Sequence, residues 1–212
     1  MVDPKRKAIK VAIPPFRKAN FVLIASSTGG PRALDAIIPQ LSPQLKAFIL
    51  VIQHMPRGYT SGLAQSLNSK SKVSVQEAVD GCILRPGEVI IAPGGYHMGI
   101  AKNKRGQYLV RLYDGQPVNG VKPSADILFE EVSRVCRSEN ILVVILTGMG
   151  NDGYRGILSL KEIGCHCITQ SEESCVVYGM PRRVEEAGLS DEILDLDRIA
   201  MRINYLGLGE ER

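Results

Sequence analysis

The 212-residue sequence lacks several features that would mark particular classes of protein. No apolar run approaches the roughly 20 residues that a helix needs to cross a bilayer. The charged N-terminus has no apolar core segment of the kind found in secretory signal peptides. No stripe of Lys and Arg with interleaved aromatic residues is present, and the formal net charge is only +4. We therefore expect a cytoplasmic protein that neither inserts into a membrane nor binds nucleic acid.

Cysteine usage argues against disulfides and against a metal site. The five cysteines are an odd number without a secretory context, so we expect reduced thiols. Cys165-His166-Cys167 places two potential ligands on one face of a strand, but no second Cys/His pair offers the remaining ligands. We expect no metal and no other cofactor.

The pattern of apolar residues indicates the fold class. Hydrophobic residues make up 44% and charged residues 23% of the chain, as in soluble globular domains. Continuous apolar runs at 21–25, 47–52 and 141–146 alternate with helix-like segments, which is typical of parallel strands covered on both faces. Segments 97–101 and 107–113 predict a hairpin. We predict an α/β fold: a doubly wound, mostly parallel sheet flanked by helices, with an antiparallel β-hairpin at one edge.

The sequence divides into a short basic segment and one domain. Residues 1–20 are basic, contain three prolines and show no sustained hydrophobic period. This composition predicts a linker or tail, such as the remnant of a tether to another domain. Residues 21–212 then form a single domain that is long enough to bury a substantial core.

The stretch from 24 to 31, IASSTGGP, follows a predicted buried strand directly. Such a turn lies at the carboxyl edge of a sheet, where α/β proteins bind ligands. Ala25, Ser27 and Gly29 have the small-x-Ser-x-small spacing of a nucleophile elbow. The cluster also suits a helix N-cap or a phosphate cradle made of backbone N–H groups, although no G-x-G-x-x-G or G-K-[ST] pattern follows. Taken alone, the stretch leaves both anion binding and catalysis open.

Three of the apolar runs end in polar turns, which carry Ser27, His54 and Asp152 respectively. In a parallel sheet these turns share one edge, so the three side chains can converge. Together they are the set required for nucleophilic acyl transfer. Singly, His54 could be an ordinary polar residue and Asp152 the N-cap of the following helix, and Asp114 is the closest rival carboxylate. Their joint placement favours a serine hydrolase.

Six segments together resemble the catalytic domain of the bacterial chemotaxis methylesterase family, CheB. They are IASSTGGP at 24–31, QHMP at 53–56, IAPG at 91–94, DGQPVN at 114–119, LTGMGNDG at 146–153 and SCVVYGMP at 174–181. The resemblance implies that residues 21–212 form a methylesterase catalytic domain, which hydrolyses glutamate γ-methyl esters on methyl-accepting receptors. Some members of the family also deamidate receptor glutamines. The resemblance further implies Ser27 as nucleophile, His54 as base and Asp152 as the orienting carboxylate.

The resemblance also implies partners. The substrate would be the cytoplasmic helices of a chemotaxis receptor, and the family's phospho-receiver domain would precede this segment. One departure stands beside the nucleophile, where the family's usual Gly-Ala is Ala25-Ser26. A rival hypothesis from another class is a phosphate- or nucleotide-binding regulatory module that uses the Gly-rich turns as anion cradles.

Further site residues are predicted with less support from the pattern. The backbone amides of Thr28 and Met149 lie in turns that begin helices, which makes them candidates for an oxyanion hole, and the resemblance favours Met149. Arg57 and Tyr59 follow His54 and are candidate substrate contacts at the rim of the site. We expect structural roles for the remaining two histidines, which are His97 and His166.

Overall fold

The computed structural model describes Phe16 and residues 18–208, so most of the predicted basic segment lies outside the described residues. Seven strands of the described chain form one sheet: β1 (Phe21–Ser26), β2 (Phe48–Gln53), β3 (Val75–Glu77), β4 (Val89–Ile91), β7 (Ile141–Ile145), β8 (His166–Gln170) and β9 (Glu192–Leu194). Their order is β3-β4-β2-β1-β7-β8-β9, and neighbouring strands pair in parallel.

Helices cover this sheet, and the hairpin forms a second sheet of two antiparallel strands, β5 (His97–Lys102) and β6 (Tyr108–Tyr113). The helices are α1 (Gly30–Ile37), α2 (Thr60–Lys70), α3 (Ala125–Val135), α4 (Tyr154–Lys161), α5 (Met180–Glu186) and α6 (Leu196–Leu208). The predicted fold class is therefore confirmed. None of the helices in the described ranges is long and apolar enough to span a bilayer.

The hairpin packs against a helix instead of adding strands to the main sheet. Strand β5 packs against α3, and Glu131 of α3 accepts hydrogen bonds from the amide of Ile100 and the hydroxyl of Tyr113. The hairpin thus extends the domain on the side of α3, and the edge strands of the seven-stranded sheet remain β3 and β9.

The position of β1 at the centre of the sheet explains why its sequence is continuously apolar. All six residues of β1 are buried, and alternate side chains enter two different cores. Phe21 and Leu23 pack into one cluster, whereas Val22 and Ile24 pack into the cluster on the opposite face. Burial of each such side chain stabilises the fold by about 1.5–3 kcal/mol. With both faces of the sheet filled, the strand ends are the places left for polar chemistry.

The carboxyl ends of three adjacent strands bring distant parts of the chain together. In the central ladder, β1 lies between β2 and β7. Backbone bonds at the carboxyl ends of these strands run from the amide of His54 to the carbonyl of Ser26 (3.0 Å) and from the amide of Leu146 to the carbonyl of Ala25 (2.9 Å). The turns that follow β1, β2 and β7 therefore meet at one edge, as the sequence predicted.

Candidate active site

Ser27 is the first residue after β1, in a turn that glycine makes possible. Gly29, the N-cap of α1, has a φ of +83°, and an added Cβ would lie 2.6 Å from the Cβ of Val176. The Ser27 amide donates to the carbonyl of Thr147 (3.0 Å), and the Gly30 amide donates to the carbonyl of Ser27 (2.8 Å). The chain therefore turns from strand to helix within a few residues and leaves Ser27 only partly buried.

The two adjacent serines have different environments. Ser26 is fully buried, and its hydroxyl donates to Oε1 of Gln53 at 2.7 Å. The hydroxyl of Ser27 makes no hydrogen bond within the described part of the chain. Of the pair, Ser27 has the hydroxyl that is available for attack on a substrate.

His54 and Asp152 form a buried pair. Nε2 of His54 lies 2.8 Å from Oδ2 of Asp152, and the two side chains are 8% and 3% exposed. Nδ1 of His54 is buried and has no hydrogen-bond partner in the described chain. A neutral imidazole that donates from Nε2 to the carboxylate has its lone pair on Nδ1. The hydrogen-bond network thus assigns Nδ1 as the nitrogen that can accept a proton.

The Asp152 carboxylate is held mainly by the start of α3. Oδ1 accepts a hydrogen bond from the Ser124 hydroxyl (2.6 Å), and Oδ2 accepts one from the Ala125 amide (2.6 Å). Oδ1 also accepts from Nδ2 of Asn119 at 3.1 Å and from the amide of Asp126 at 3.3 Å. The positive end of the α3 dipole adds to these bonds, because a helix N-terminus favours negative charge.

These contacts keep the carboxylate of Asp152 ionised. Burial acts to raise its pKa, but hydrogen bonds from His54, Ser124 and the Ala125 amide outweigh burial and lower the pKa below the ordinary value. An ionised carboxylate can fix the tautomer of His54 and stabilise the imidazolium that forms when His54 takes a proton.

The same contacts decide whether Asp152 is the N-cap of α4, and the contacts of Asp114 distinguish it from Asp152. Helix α4 begins after Gly153, which has a φ of +95°, and no side chain caps the helix. The carboxylate of Asp152 binds the start of α3 instead, so its interpretation as the N-cap of α4 is wrong. Asp114 is exposed and pairs with Lys122.

Two backbone amides beside Ser27 have no acceptor in the described chain, and they belong to Thr28 and Met149. The loop that carries Met149 runs close to the serine, because a Cβ added to Gly148 would lie 2.7 Å from the Cβ of Ser27. The Gly148 amide itself donates to the carbonyl of Val177 (2.9 Å). This geometry suits the predicted oxyanion-hole donors.

Arg57 and Tyr59 lie on the loop between β2 and α2. The guanidinium of Arg57 donates to the hydroxyl of Tyr96 at 2.6 Å and stacks on its ring. Tyr59 is largely exposed. In the part of the chain that the structure describes, no hydrogen bond or ring contact joins either residue to Ser27 or His54. Their role in substrate binding stays a prediction.

Sequence reasoning missed three residues that support the site: Gln53, Asn119 and Ser124. Gln53 could have been noticed as an amide at the end of a fully apolar strand, where a buried polar group requires partners. Ser124 is recognisable as a helix N-cap, but its hydroxyl binds Asp152 instead of a helix amide. Nothing in the local pattern around Asn119 predicts its contact with Asp152.

The remaining candidates for metal binding have structural partners. Nε2 of His97 lies 2.9 Å from the carbonyl of Gln116, and His166 pairs with Glu192. All five cysteines are free thiols, as predicted. Among the described residues, no group of three or more His, Cys, Asp or Glu side chains could hold a metal ion.

The fold defines the class as an α/β domain. At the carboxyl edge of its parallel sheet it carries a serine in a strand-to-helix turn and a buried His–carboxylate pair, which are groups that serine hydrolases use. A sequence model described as CheB methylesterase matches residues 22–203. The chain therefore belongs to the CheB methylesterase family, as the resemblance implied.

Individual relatives agree with this assignment. The protein-glutamate methylesterase/protein-glutamine glutaminase of Symbiobacterium thermophilum is 48% identical over 181 residues, which are 85% of this chain and 49% of that protein. The protein of the same name from Geobacillus kaustophilus is 42% identical over 208 residues, which are 97% of this chain and 58% of that protein. The chain spans about half the length of the curated relatives it matches.

The fold is similar to that of a solved relative. The crystal structure of the Thermotoga maritima CheB methylesterase catalytic domain matches with a TM-score of 0.84 and 41% sequence identity. The match covers 88% of this chain and 98% of that one. Most of this chain therefore has the fold of a methylesterase catalytic domain.

Proposed function

We propose that residues 21–212 are a methylesterase catalytic domain that removes methyl groups from glutamate γ-methyl esters on chemotaxis receptors. The observation that carries the proposal is the buried His54–Asp152 pair, with the free Nδ1 of His54 at the strand edge that also bears Ser27. Membership in the CheB methylesterase family supports the choice of substrate. No cofactor is required for this chemistry.

The reaction begins when the hydroxyl of Ser27 attacks the γ-carbonyl carbon of the ester. Nδ1 of His54 accepts the hydroxyl proton as the C–O bond forms, and negative charge develops on the carbonyl oxygen. The amides of Thr28 and Met149 donate to that oxygen, and one such donor typically contributes about 3 kcal/mol in the transition state. The result is a tetrahedral intermediate bound to Ser27.

The intermediate collapses when the bond to the methoxy oxygen breaks. His54 returns its proton to this oxygen, so methanol leaves and an acyl-enzyme ester remains on Ser27. A water molecule then attacks the acyl carbon while His54 takes one of its protons. The proton passes to Ser27, and the products are a free glutamate carboxyl group and the original enzyme.

Deamidation follows the same path with a glutamine substrate. The leaving group is then ammonia, which His54 protonates as the C–N bond breaks. The names of the relatives include protein-glutamine glutaminase. We include this second activity in the proposal for the same site.

The proposed protein partners follow from the substrate. The methylated glutamates lie on cytoplasmic helices of the receptor, so the enzyme must accept a protein surface at this edge of the sheet, with Arg57 and Tyr59 at the rim. We also propose that a phospho-receiver domain precedes this segment in the full-length protein, since the relatives are about twice as long.

A serine-directed fluorophosphonate probe and an assay of methanol release from methylated receptor test the proposal. We expect labelling of wild-type protein at Ser27, and loss of both labelling and methanol release in Ser27→Ala. His54→Ala should lower turnover by several orders of magnitude with folding intact. Near-wild-type methanol release by either variant would exclude the assignment.

The same measurements separate the rival hypotheses. A phosphate- or nucleotide-binding module would bind anions tightly, and that binding would not change in His54→Ala. A domain that only docks on receptors would bind methylated receptor without reacting with the probe. Only the esterase hypothesis predicts an activated hydroxyl at position 27.

A further inference from the structure

Gln53 is a buried amide between the two turns of the proposed site. It is the last residue of β2, directly precedes His54 and is 1% exposed. In the parallel register it lies opposite Ser26, the last residue of β1. A buried amide is costly unless its polar atoms are hydrogen-bonded, so its partners indicate its purpose.

The partners of Gln53 belong to both turns. Its Nε2 donates to the carbonyl oxygen of Ser27 (3.0 Å) and to the carbonyl oxygen of His54 (2.9 Å). Its Oε1 accepts from the hydroxyl of Ser26 at 2.7 Å. Because carbonyl oxygens only accept, they fix the nitrogen on their side and leave Oε1 facing Ser26. One side chain therefore uses both N–H groups to join the backbones of Ser27 and His54.

These bonds continue the sheet beyond the point where its ladder ends. The last backbone bond between the strands runs from the His54 amide to the Ser26 carbonyl. The side-chain amide of Gln53 adds a link between the carbonyl of His54 and the carbonyl of Ser27, which is one residue beyond Ser26, and so joins the backbones that carry the nucleophile and the base. The neighbouring turn is shaped to admit it, because a Cβ on Gly30 would lie 1.9 Å from Oε1 of Gln53.

We propose that Gln53 is a positioning residue that fixes the separation of Ser27 and His54, and that the Ser26 hydroxyl holds the Gln53 amide in the required orientation. The inference rests on the proposed esterase function. Reaction through Ser27 requires a near-attack geometry, and a misplacement of about 1 Å can lower the rate by about 10²-fold.

The main test compares Gln53→Met with the wild type. Methionine is similar in length but has no N–H to donate, so the two turns lose their link. We expect kcat for methanol release to fall by about 10- to 100-fold, with KM changed by less than about twofold, because substrate contacts lie elsewhere. The rate constant of fluorophosphonate labelling should fall by a similar factor, because it reports the activation of Ser27.

Two further variants sharpen the test. Gln53→Glu keeps the shape but replaces the two N–H donors by a carboxyl group, which has at most one O–H to donate. At least one of the two turns therefore loses its bond, and we expect kcat to fall as in Gln53→Met. Ser26→Ala removes only the group that orients the amide, so we expect a loss in kcat of about threefold, well below that of Gln53→Met.

Asn204 provides a matched control. Its side-chain amide also binds two backbone groups, the amide of Ser42 (2.8 Å) and the carbonyl of Gln40 (2.9 Å), on the opposite side of β1 from α3. Asn204→Leu should lower the midpoint of denaturation and leave kcat within about twofold of the wild type.

The outcomes distinguish the inference from the proposed function. Folded Gln53→Met protein with wild-type kcat would overturn the inference, as would a loss that disappears when rates are expressed per probe-reactive site. If Gln53→Met does not fold, wild-type kcat in Gln53→Glu together with full activity in Ser26→Ala would overturn it. Activity that survives Ser27→Ala would instead refute the esterase itself.

Discussion

The carboxylate of Asp152, in the turn after β7, accepts a hydrogen bond of 2.6 Å from the backbone amide of Ala125, the first residue of α3. A residue two positions before α4 is thus bound to the N-terminus of a different helix. The oxygen that accepts this bond, Oδ2, also lies 2.8 Å from Nε2 of His54. The orientation of the proposed base therefore depends on how α3 packs against the sheet.

Asp152→Asn should reduce turnover severely. The substitution keeps the shape of the side chain but removes the charge that stabilises the imidazolium and selects the tautomer of His54. We expect kcat to fall by about 10⁴-fold, as in other triads, measured by methanol release. Asp114→Asn is the control, because that carboxylate is exposed and pairs with Lys122, so kcat should stay within about twofold. Equal effects of the two substitutions would contradict the assignment of Asp152.

We expect Asp152 to make the free energy of unfolding depend on pH in the acidic range. Because its pKa is lower in the folded state than the ordinary value of 3.8, the ionised form stabilises the fold. That contribution is fully present above pH 3.8 and is lost as pH falls through the lowered pKa. Urea denaturation at a series of acidic pH values should show a steeper loss of unfolding free energy in the wild type than in Asp152→Asn. Parallel curves would show that Asp152 has no such role.

We expect both the side-chain amide and the backbone conformation of Asn119 to affect the free energy of unfolding. Its Nδ2 lies between Oδ2 of Asp126 (2.8 Å) and Oδ1 of Asp152 (3.1 Å), and its φ is +54°. Asn119→Gly tolerates that backbone but loses the bridge, so we expect a loss of about 1.5–3 kcal/mol of unfolding free energy. Asn119→Ala should lose about 1 kcal/mol more, because alanine is strained at positive φ. Equal denaturation midpoints for the two variants would refute the backbone part of the prediction.

Gly148→Ala should damage the site through steric contact. Its Cβ would lie 2.5 Å from Sδ of Met180 and 2.7 Å from the Cβ of Ser27, closer than such atoms approach in folded proteins. We expect the unfolding free energy to fall by about 1–3 kcal/mol and the rate of fluorophosphonate labelling to fall with it.

The control for Gly148 is Gly62, which lies in α2 with open space around it. Gly62→Ala should raise the unfolding free energy by about 0.5–1 kcal/mol, because alanine restricts the unfolded chain and favours a helix. Labelling at the wild-type rate is expected. If Gly148→Ala has the same unfolding free energy and labelling rate as Gly62→Ala, the loop that carries Gly148 makes no close steric contact with Ser27.

Buried parallel strands were predictable because both of their faces are filled. Their sequences must be apolar throughout, so β1, β2 and β7 were located to within a residue or two. The edge strand β9 (Glu192–Leu194) was missed, because it carries no continuous apolar run: its two end residues are partly buried and Ile193 is exposed. Helix α1 ends at Ile37, because Pro39 has no N–H to continue it, and residues 38–40 form a 3₁₀ turn.

The residues of the proposed triad were predictable because each follows a buried strand in a Gly- or Pro-rich turn. The residues that hold the triad in place were not predictable. The contacts of Asn119 and Ser124 with Asp152 depend on the packing of α3 across the sheet. Sequence spacing describes what one strand presents at its end. It does not report which helix start will meet that end.

The position of β1 between β2 and β7 also bears on how the protein is made. Asn140, just before β7, bonds to Asn20, just before β1, across 120 residues of chain. The turns that carry Ser27 and His54 leave the ribosome long before Asp152 does. The nascent chain therefore lacks the carboxylate of the proposed triad during most of its synthesis. If the proposal holds, the enzyme stays silent during its own synthesis and acquires activity only after β7 and the turn beyond it have left the exit tunnel.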